Sequence, residues 1–373
     1  MDNTFAIALS VLLIALAIGV ALTSVAIGRF RQVGRPSIEK YWLQALERIL
    51  QGLALLLIVG VIFHWLNNGQ ARQARWTELR AKAIEKYDAQ ADWQIPDAQT
   101  LELDPHRNLI EYGRDLIAHT TDYFGEYGLV RPNSINQLNC QNCHLEAGAK
   151  AFGNNYAAVV STYPKVRARS GQVEDIRFRI NDCFMRSLNG QALDTASREM
   201  KAIVAYIEWL GSNVPPKLSP KGVGLVKVPY LDRAADPALG AQVYSGKCAS
   251  CHGADGQGLP MPGTAREYPP LWGEHSYSEA AGLFRLSRFA GYVKANMPFG
   301  SNYHNPQLSD EEAWDVAAYV NSQARPKHPF LDIDWPDISK KPFDHPFGPF
   351  ADTFPEKQHK YGPFGPIVAY YQK

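Results

Sequence analysis

Two short strings carry the most chemistry in this sequence: Cys140-Gln141-Asn142-Cys143-His144 and Cys248-Ala249-Ser250-Cys251-His252. Two thiols three positions apart on one turn reach the two vinyl groups of a single haem, and the adjoining histidine turns its imidazole onto the iron. A redox dithiol has no need of that histidine, and a zinc site needs a second Cys or His pair at a suitable distance. A disulfide framework is a poor fit to five cysteines, an odd number, four of which stand inside the strings. The expected cofactors are therefore two covalently bound haem c groups. Cys140, Cys143, Cys248 and Cys251 are the expected thioether attachments, with His144 and His252 as proximal iron ligands.

The second ligand of each iron carries the functional information. Met297-Pro298 lies 45 residues after His252, just ahead of a helical pattern, and looks like the distal thioether of a class I cytochrome c. Met261 is its weaker rival. A His/Met iron has a raised potential, suited to passing electrons on. The first string has no Met-Pro pair in the corresponding place. It has Cys183, the odd cysteine, with Met185 and Met200 as the other nearby sulfur atoms and Met200 on an apolar helical stripe. A thiolate on iron lowers the potential and pushes electron density onto the metal, which suits a reaction centre better than a relay.

Residues 161–190 hold six basic side chains (Lys165, Arg167, Arg169, Arg177, Arg179, Arg186) against three acidic ones (Glu174, Asp175, Asp182). The local net is +3 in a chain whose total is +1. Part of this set is expected to pair with haem propionates, and the rest to cradle an oxyanion through forked donors. If the stretch is helical, Ser187 and Gln191, at four and eight residues beyond Cys183, share its face and can donate hydrogen bonds there.

The elements that must hold these residues recur in two copies. The first copy opens with a helical pattern over 109–117 and closes with an amphipathic helix over 197–210, whose Met200, Ile203, Val204, Ile207 and Leu210 fall at helical spacing. The second opens at 238–244 and closes with a helix announced by a capping box, Ser309 with Glu312. Helix, haem string, loops and closing helix, twice over, resemble two class I cytochrome c domains. A Gly- and Pro-rich stretch over 214–227 separates them.

Ahead of these copies the chain is apolar. Residues 5–28 carry no charge and are long enough to cross a hydrocarbon core, and 49–66 are a second uncharged run of 18 residues, with His64 and Trp65 at a plausible interface. A cleaved signal peptide is the competing reading of the first run, but its head, Met1 to Thr4, lacks positive charge. Haem attachment happens outside the cytoplasm, so a helical hairpin with both ends outside is expected. Its connector carries Arg29, Arg31, Arg35, Lys40 and Arg48 against Glu39 and Glu47, as a cytoplasmic loop should; Arg72, Arg75, Arg80, Lys82 and Lys86 beyond the second run sit awkwardly with that rule. The overall balance of +1 gives no basic field for nucleic acid.

The expected fold class is mainly α: a two-helix transmembrane hairpin over 1–70, a linker over 71–105 and two tandem class I cytochrome c domains. The first, over 106–222, holds the catalytic haem, and the second, over 223–326, the electron-transfer haem. An irregular tail over 327–373 completes the chain.

Cys140-Gln141-Asn142-Cys143-His144, Tyr163-Pro164 with Arg167 and Arg169, and Arg179-Ile180-Asn181-Asp182-Cys183 with Ser187, Asn189, Gly190 and Gln191 resemble the dihaem thiosulfate dehydrogenase family over residues 109–324. The resemblance implies an oxidoreductase that joins two thiosulfates into tetrathionate, or runs the reverse, at a His/Cys-ligated first haem. It implies Cys183 as the catalytic distal ligand, with Arg169, Arg179, Ser187 and Gln191 as substrate contacts. Electrons would pass through a His/Met haem to an acceptor such as a cytochrome c or terminal oxidase, on the outer face of the inner membrane. The hairpin and the long tail depart from the soluble pattern, as does Asn296, which stands beside Met297 with Lys294 two residues before it, where some relatives place a lysine beside the distal methionine. Two other functions fit the same residues: a non-enzymatic membrane-anchored electron shuttle, and a sulfur carrier with a persulfide on Cys183.

Overall fold

The computed structural model of the chain describes residues 18–21, 23–25, 27–29, 38–264, 266–329 and 331–372. They form a mostly helical protein in two units, Met1–Thr77 and Glu78–Lys373. In the first unit, most of the expected segment 5–28 lies outside the described residues, as do the side chains of His64 and Trp65. The described part, Ile18–Arg29, is a short apolar helix whose Ser24 hydroxyl donates to Glu47 at 2.7 Å.

Helix α1 (Ile38–Glu85) is the one described helix long and apolar enough to cross a membrane, with a mean hydropathy of 2.3 over its best 18-residue window. Leu53, Leu55, Leu56, Val59 and Phe63 point outward around its circumference and are exposed. A helix apolar all round has no aqueous face to offer. The polar residues after position 66 continue this helix to Glu85, steadied by pairs one turn apart such as Glu78–Lys82 at 2.5 Å.

The second unit repeats one plan. In the first copy α2 (Arg107–Ala118) crosses α5 (Arg198–Leu210); between them lie the haem-string turn α3 (Cys140–Cys143), the antiparallel hairpin β1 (Lys165–Arg167) with β2 (Gln172–Glu174), and α4 (Ile176–Arg186). In the second copy α6 (Pro237–Lys247) crosses α9 (Asp310–Ser322), with the turn α7 (Ala249–His252) and α8 (Leu286–Asn296) between. The expected stripe on α5 is buried throughout, and Ser197 accepts from the Met200 amide. The capping box at α9 forms as read, with Ser309 N–H donating to Glu312 at 2.8 Å and Glu312 N–H to the Ser309 hydroxyl at 3.0 Å.

Both crossings depend on a glycine. A Cβ on Gly113 would run into the Ala202 carbonyl, and one on Gly240 into that of Asp315, so each opening helix touches the backbone of its closing helix. Gly113→Ala or Gly240→Ala should force the helices apart and destabilise by about 1–3 kcal/mol. The thermal unfolding midpoint of the haem-loaded protein would report it. Gly246→Ala, on the same α6, meets nothing within 4 Å and should be neutral or slightly stabilising.

The tail is more ordered than its sequence foretold. It forms two short helices, α10 (Glu356–Tyr361) and α11 (Gly365–Tyr371), and sinks Phe364 and Ile367 into the second copy, where Phe364 meets Trp314 at 5.3 Å between ring centroids. Asp344 of the tail is wholly buried against Arg285 and Ser287.

Candidate active site

The haem strings form the tight turns that their chemistry needs. Asn139 and Asn142 cap α3 reciprocally, which holds Cys140 and Cys143 on one turn with His144 directly after. His144 Nδ1 stands 2.5 Å from the Asn154 carbonyl, and His252 Nδ1 stands 3.0 Å from that of Pro269. A carbonyl only accepts, so Nδ1 is the protonated nitrogen in each ring and Nε2 keeps a free lone pair. Burial lowers the affinity of both rings for a second proton, pushing His144 down to about 4.

Cys248, Cys251, His252 and Met297 line one cavity of about 1390 Å³, with Met261 also on its wall. The same cavity reaches Asn142 and Cys143 of the first copy, so the two strings adjoin across it. Paired thiols, a neutral imidazole and a thioether facing an apolar space fit a haem c. Lys294 is turned away to Asp310 and the Leu308 carbonyl, both at 2.7 Å.

On the first copy, α4 begins at Asp175, whose carboxylate accepts from the Phe178 amide, and carries Cys183 in its last turn. Arg179 Nη1 donates to the Cys183 sulfur at 3.0 Å and to Asp182 at 3.0 Å. Cys183, more than any other group, holds the Arg179 guanidinium above its ordinary value, against the opposing effect of burial. Asp182 is buried, which alone would raise its pKa, yet Arg179, Arg169 and Arg186 together hold it below the usual range. Arg169 lies 3.8 Å from Asp182, and burial brings it down to about 10. Cys183 acts electrostatically on Cys140 and Cys143, and Arg179 on His144. Of the sulfur atoms that the sequence offers here, Met185 is exposed and Met200 is sealed in the core, which leaves Cys183.

The other three arginines of the cluster are already engaged, and Lys165 lies over the Tyr163 ring at 4.5 Å. Arg186 is bound to Asp182 at 2.5 Å and Asp334 at 2.6 Å, Arg167 donates to the Tyr163 hydroxyl at 2.7 Å, and Arg177 pairs with Asp175 on the surface. Ser187 ends α4, its N–H donating to the Cys183 carbonyl at 2.9 Å, and its hydroxyl has no partner among the described residues. Gln191 is not on the face of Cys183, contrary to the helical spacing argument. The helix stops at Arg186, Asn189 turns at φ 46°, and Gly190 presses against the Ser134 carbonyl, where a side chain would not fit. Gln191 is exposed and held through its backbone by Ser134 and Arg131.

Two residues escape sequence reasoning. Arg288 of α8 is half-buried, its side chain makes no hydrogen bond among the described residues, and its charge reaches both His144 and Arg179. Asp334 of the tail anchors Arg186. Neither carries a local pattern; both are brought in by tertiary folding alone.

Comparison with known proteins is consistent with this layout. Residues 130–215 match the family model described as SoxA/TsdA, cytochrome c domain, and residues 237–324 match cytochrome c. The thiosulfate dehydrogenase of Psychrobacter arcticus is 37% identical over 246 residues, 65% of this chain and 72% of that protein. That of Stutzerimonas stutzeri is 36% identical over 239 residues, 64% of this chain and 75% of the relative. Among solved structures, thiosulfate dehydrogenase TsdBA of Marichromatium purpuratum superposes with a TM-score of 0.57 at 31% identity, covering 64% of this chain and 51% of that one.

Proposed function

This chain belongs to the thiosulfate dehydrogenase family, an enzyme with two haem c groups, and from that premise we propose that it joins two thiosulfate dianions into tetrathionate beside Cys183. One S–S bond forms, two electrons are released and no proton is exchanged. The haems, when bound, accept those electrons one at a time. His144 and Cys183 are assigned to the first iron, and His252 and Met297 to the second. Arg169 and Arg179 hold the two like-charged anions close enough to react, a gain of proximity and of fixed electrostatics. Ser187, one turn beyond Cys183 with its hydroxyl uncommitted, adds a donor.

The observation that carries this reading is the Arg179 guanidinium set between the Cys183 sulfur and the Asp182 carboxylate, at 3.0 Å from each. A forked donor so placed fits both a thiolate and a sulfur oxyanion. The segment 5–28 and α1 are assigned to a membrane hairpin with the haem domains outside; the Ser24–Glu47 contact supports the pairing. Phe299, 94% exposed beside Met297 at the rim of the cavity, offers an apolar contact to a cytochrome or oxidase acceptor.

Stoichiometry separates this reading from a sulfur carrier. Two thiosulfates should be consumed per tetrathionate, and the Cys183 peptide should keep its mass after turnover. One thiosulfate per cycle with an added sulfur on Cys183 would replace the proposal with the carrier.

A further inference from the structure

Residues 325–373 lie beyond both family-model matches, yet part of this tail folds against the cationic cluster of the first copy. Asp334 accepts from both terminal nitrogens of Arg186, at 2.6 and 2.7 Å, with its side chain 5% exposed. The Nε of the same guanidinium donates to Asp182 at 2.5 Å, so Arg186 bridges two carboxylates. The next residue, Trp335, donates its N–H to the Arg169 carbonyl at 2.7 Å and lays its ring 5.8 Å from the Arg169 guanidinium. Trp335 does so at φ 62°, a conformation that a bulky side chain keeps only when its surroundings impose it. Pro336 closes the contact over Gly171, where a Cβ would come within 2.7 Å of its ring.

We propose that this part of the tail belongs to the active site, with Asp334 as a positioning residue that acts through Arg186 and Asp182 to hold Arg179 against the Cys183 sulfur. The inference rests on the assignment of Cys183 to the first iron. Three guanidiniums, Arg169, Arg179 and Arg186, face two carboxylates, Asp182 and Asp334, which leaves this cluster net positive beside the Cys183 sulfur. Without the charge of Asp334, Arg186 takes Asp182 for itself. Arg179 then loses its second anchor, and the first haem sits in a more positive field that favours its reduced form.

The test compares full-length, haem-loaded wild type with Asp334→Asn and Asp334→Glu, reading the midpoint potential of each haem, the electron paramagnetic resonance of the thiolate-ligated iron, and thiosulfate turnover. In Asp334→Asn the first haem should shift to a more positive potential while the second stays put. Turnover should fall about tenfold, as expected for a misplaced catalytic group. Asp334→Glu, which keeps the charge, should recover most of both. If Asp334→Asn does not take up both haems, Arg186→Lys, whose donors sit on one nitrogen where Arg186 uses three, should show the same selective shift. A wild-type thiolate signal with unchanged potentials and turnover in the variants overturns the inference alone, as does a shift common to both haems. A wild type without the thiolate signal overturns the Cys183 assignment and this inference together.

Discussion

Replacing Cys183 by alanine is expected to cut thiosulfate turnover by roughly 10³-fold or more, the scale on which enzymes lose rate when a group central to the chemistry is removed. Both haems should stay attached, because the thioether positions Cys140, Cys143, Cys248 and Cys251 are untouched. The first haem alone should rise in potential, since a thiolate donates more electron density to iron than any ligand that replaces it. Cys183→Met separates ligation from chemistry. A thioether there should restore a six-coordinate iron at high potential and leave the enzyme inactive. Absorbance spectra, redox titration and steady-state rates on the three proteins check this. A fully active Cys183→Met would show that sulfur ligation of any kind suffices.

The second large effect is expected at Arg179. Its guanidinium is the only described donor to the Cys183 sulfur, and it shares Asp182 with Arg169 and Arg186. Loss of one fixed donor at a site of changing charge typically costs 10²–10³-fold in rate, and Arg179→Ala should fall in or above that range in kcat/KM. Arg179→Lys should recover only part, because an ammonium on a flexible stem lacks the planar, pre-organised guanidinium that fixes Nη1 between sulfur and carboxylate. Arg177→Ala is the control. That side chain is 49% exposed and pairs with an equally exposed Asp175 at 3.5 Å, a contact of little value in water. A loss at Arg177 equal to that at Arg179 would mean that general positive charge, not placement, drives binding.

The parts of this molecule legible in its sequence were those written locally. The haem strings are covalent chemistry in five consecutive residues. The closing helices follow from apolar spacing and caps, and Met200, Ile207 and Leu210 are buried as their spacing requires. The continuation of α1 to Glu85 was harder to see, because a polar helix with charges on every side resembles a linker until its pairs are counted. The tail helices were hidden for a related reason: short segments rich in Pro and aromatics have no period, and Phe364 and Ile367 are ordered by the surface of the second copy. In the candidate site, Arg179 and Cys183 came together through the family resemblance of the segment that holds both, and the structure sets them one helical turn apart. Gln191 was misread because a periodicity argument runs on past a helix end, and the close approach of Gly190 to Ser134 leaves no trace in spacing. Asp334 stands 148 residues from the arginine it holds, a separation that local pattern cannot bridge.

The central claim is tested most directly by anaerobic incubation of the purified, detergent-solubilised protein with thiosulfate, following haem absorbance and tetrathionate together. The account predicts that the haems become reduced as tetrathionate appears, with both signals absent from Cys183→Ala. A wild type that is inert to thiosulfate and to tetrathionate, yet exchanges electrons with a cytochrome, would contradict it and leave an electron shuttle in its place.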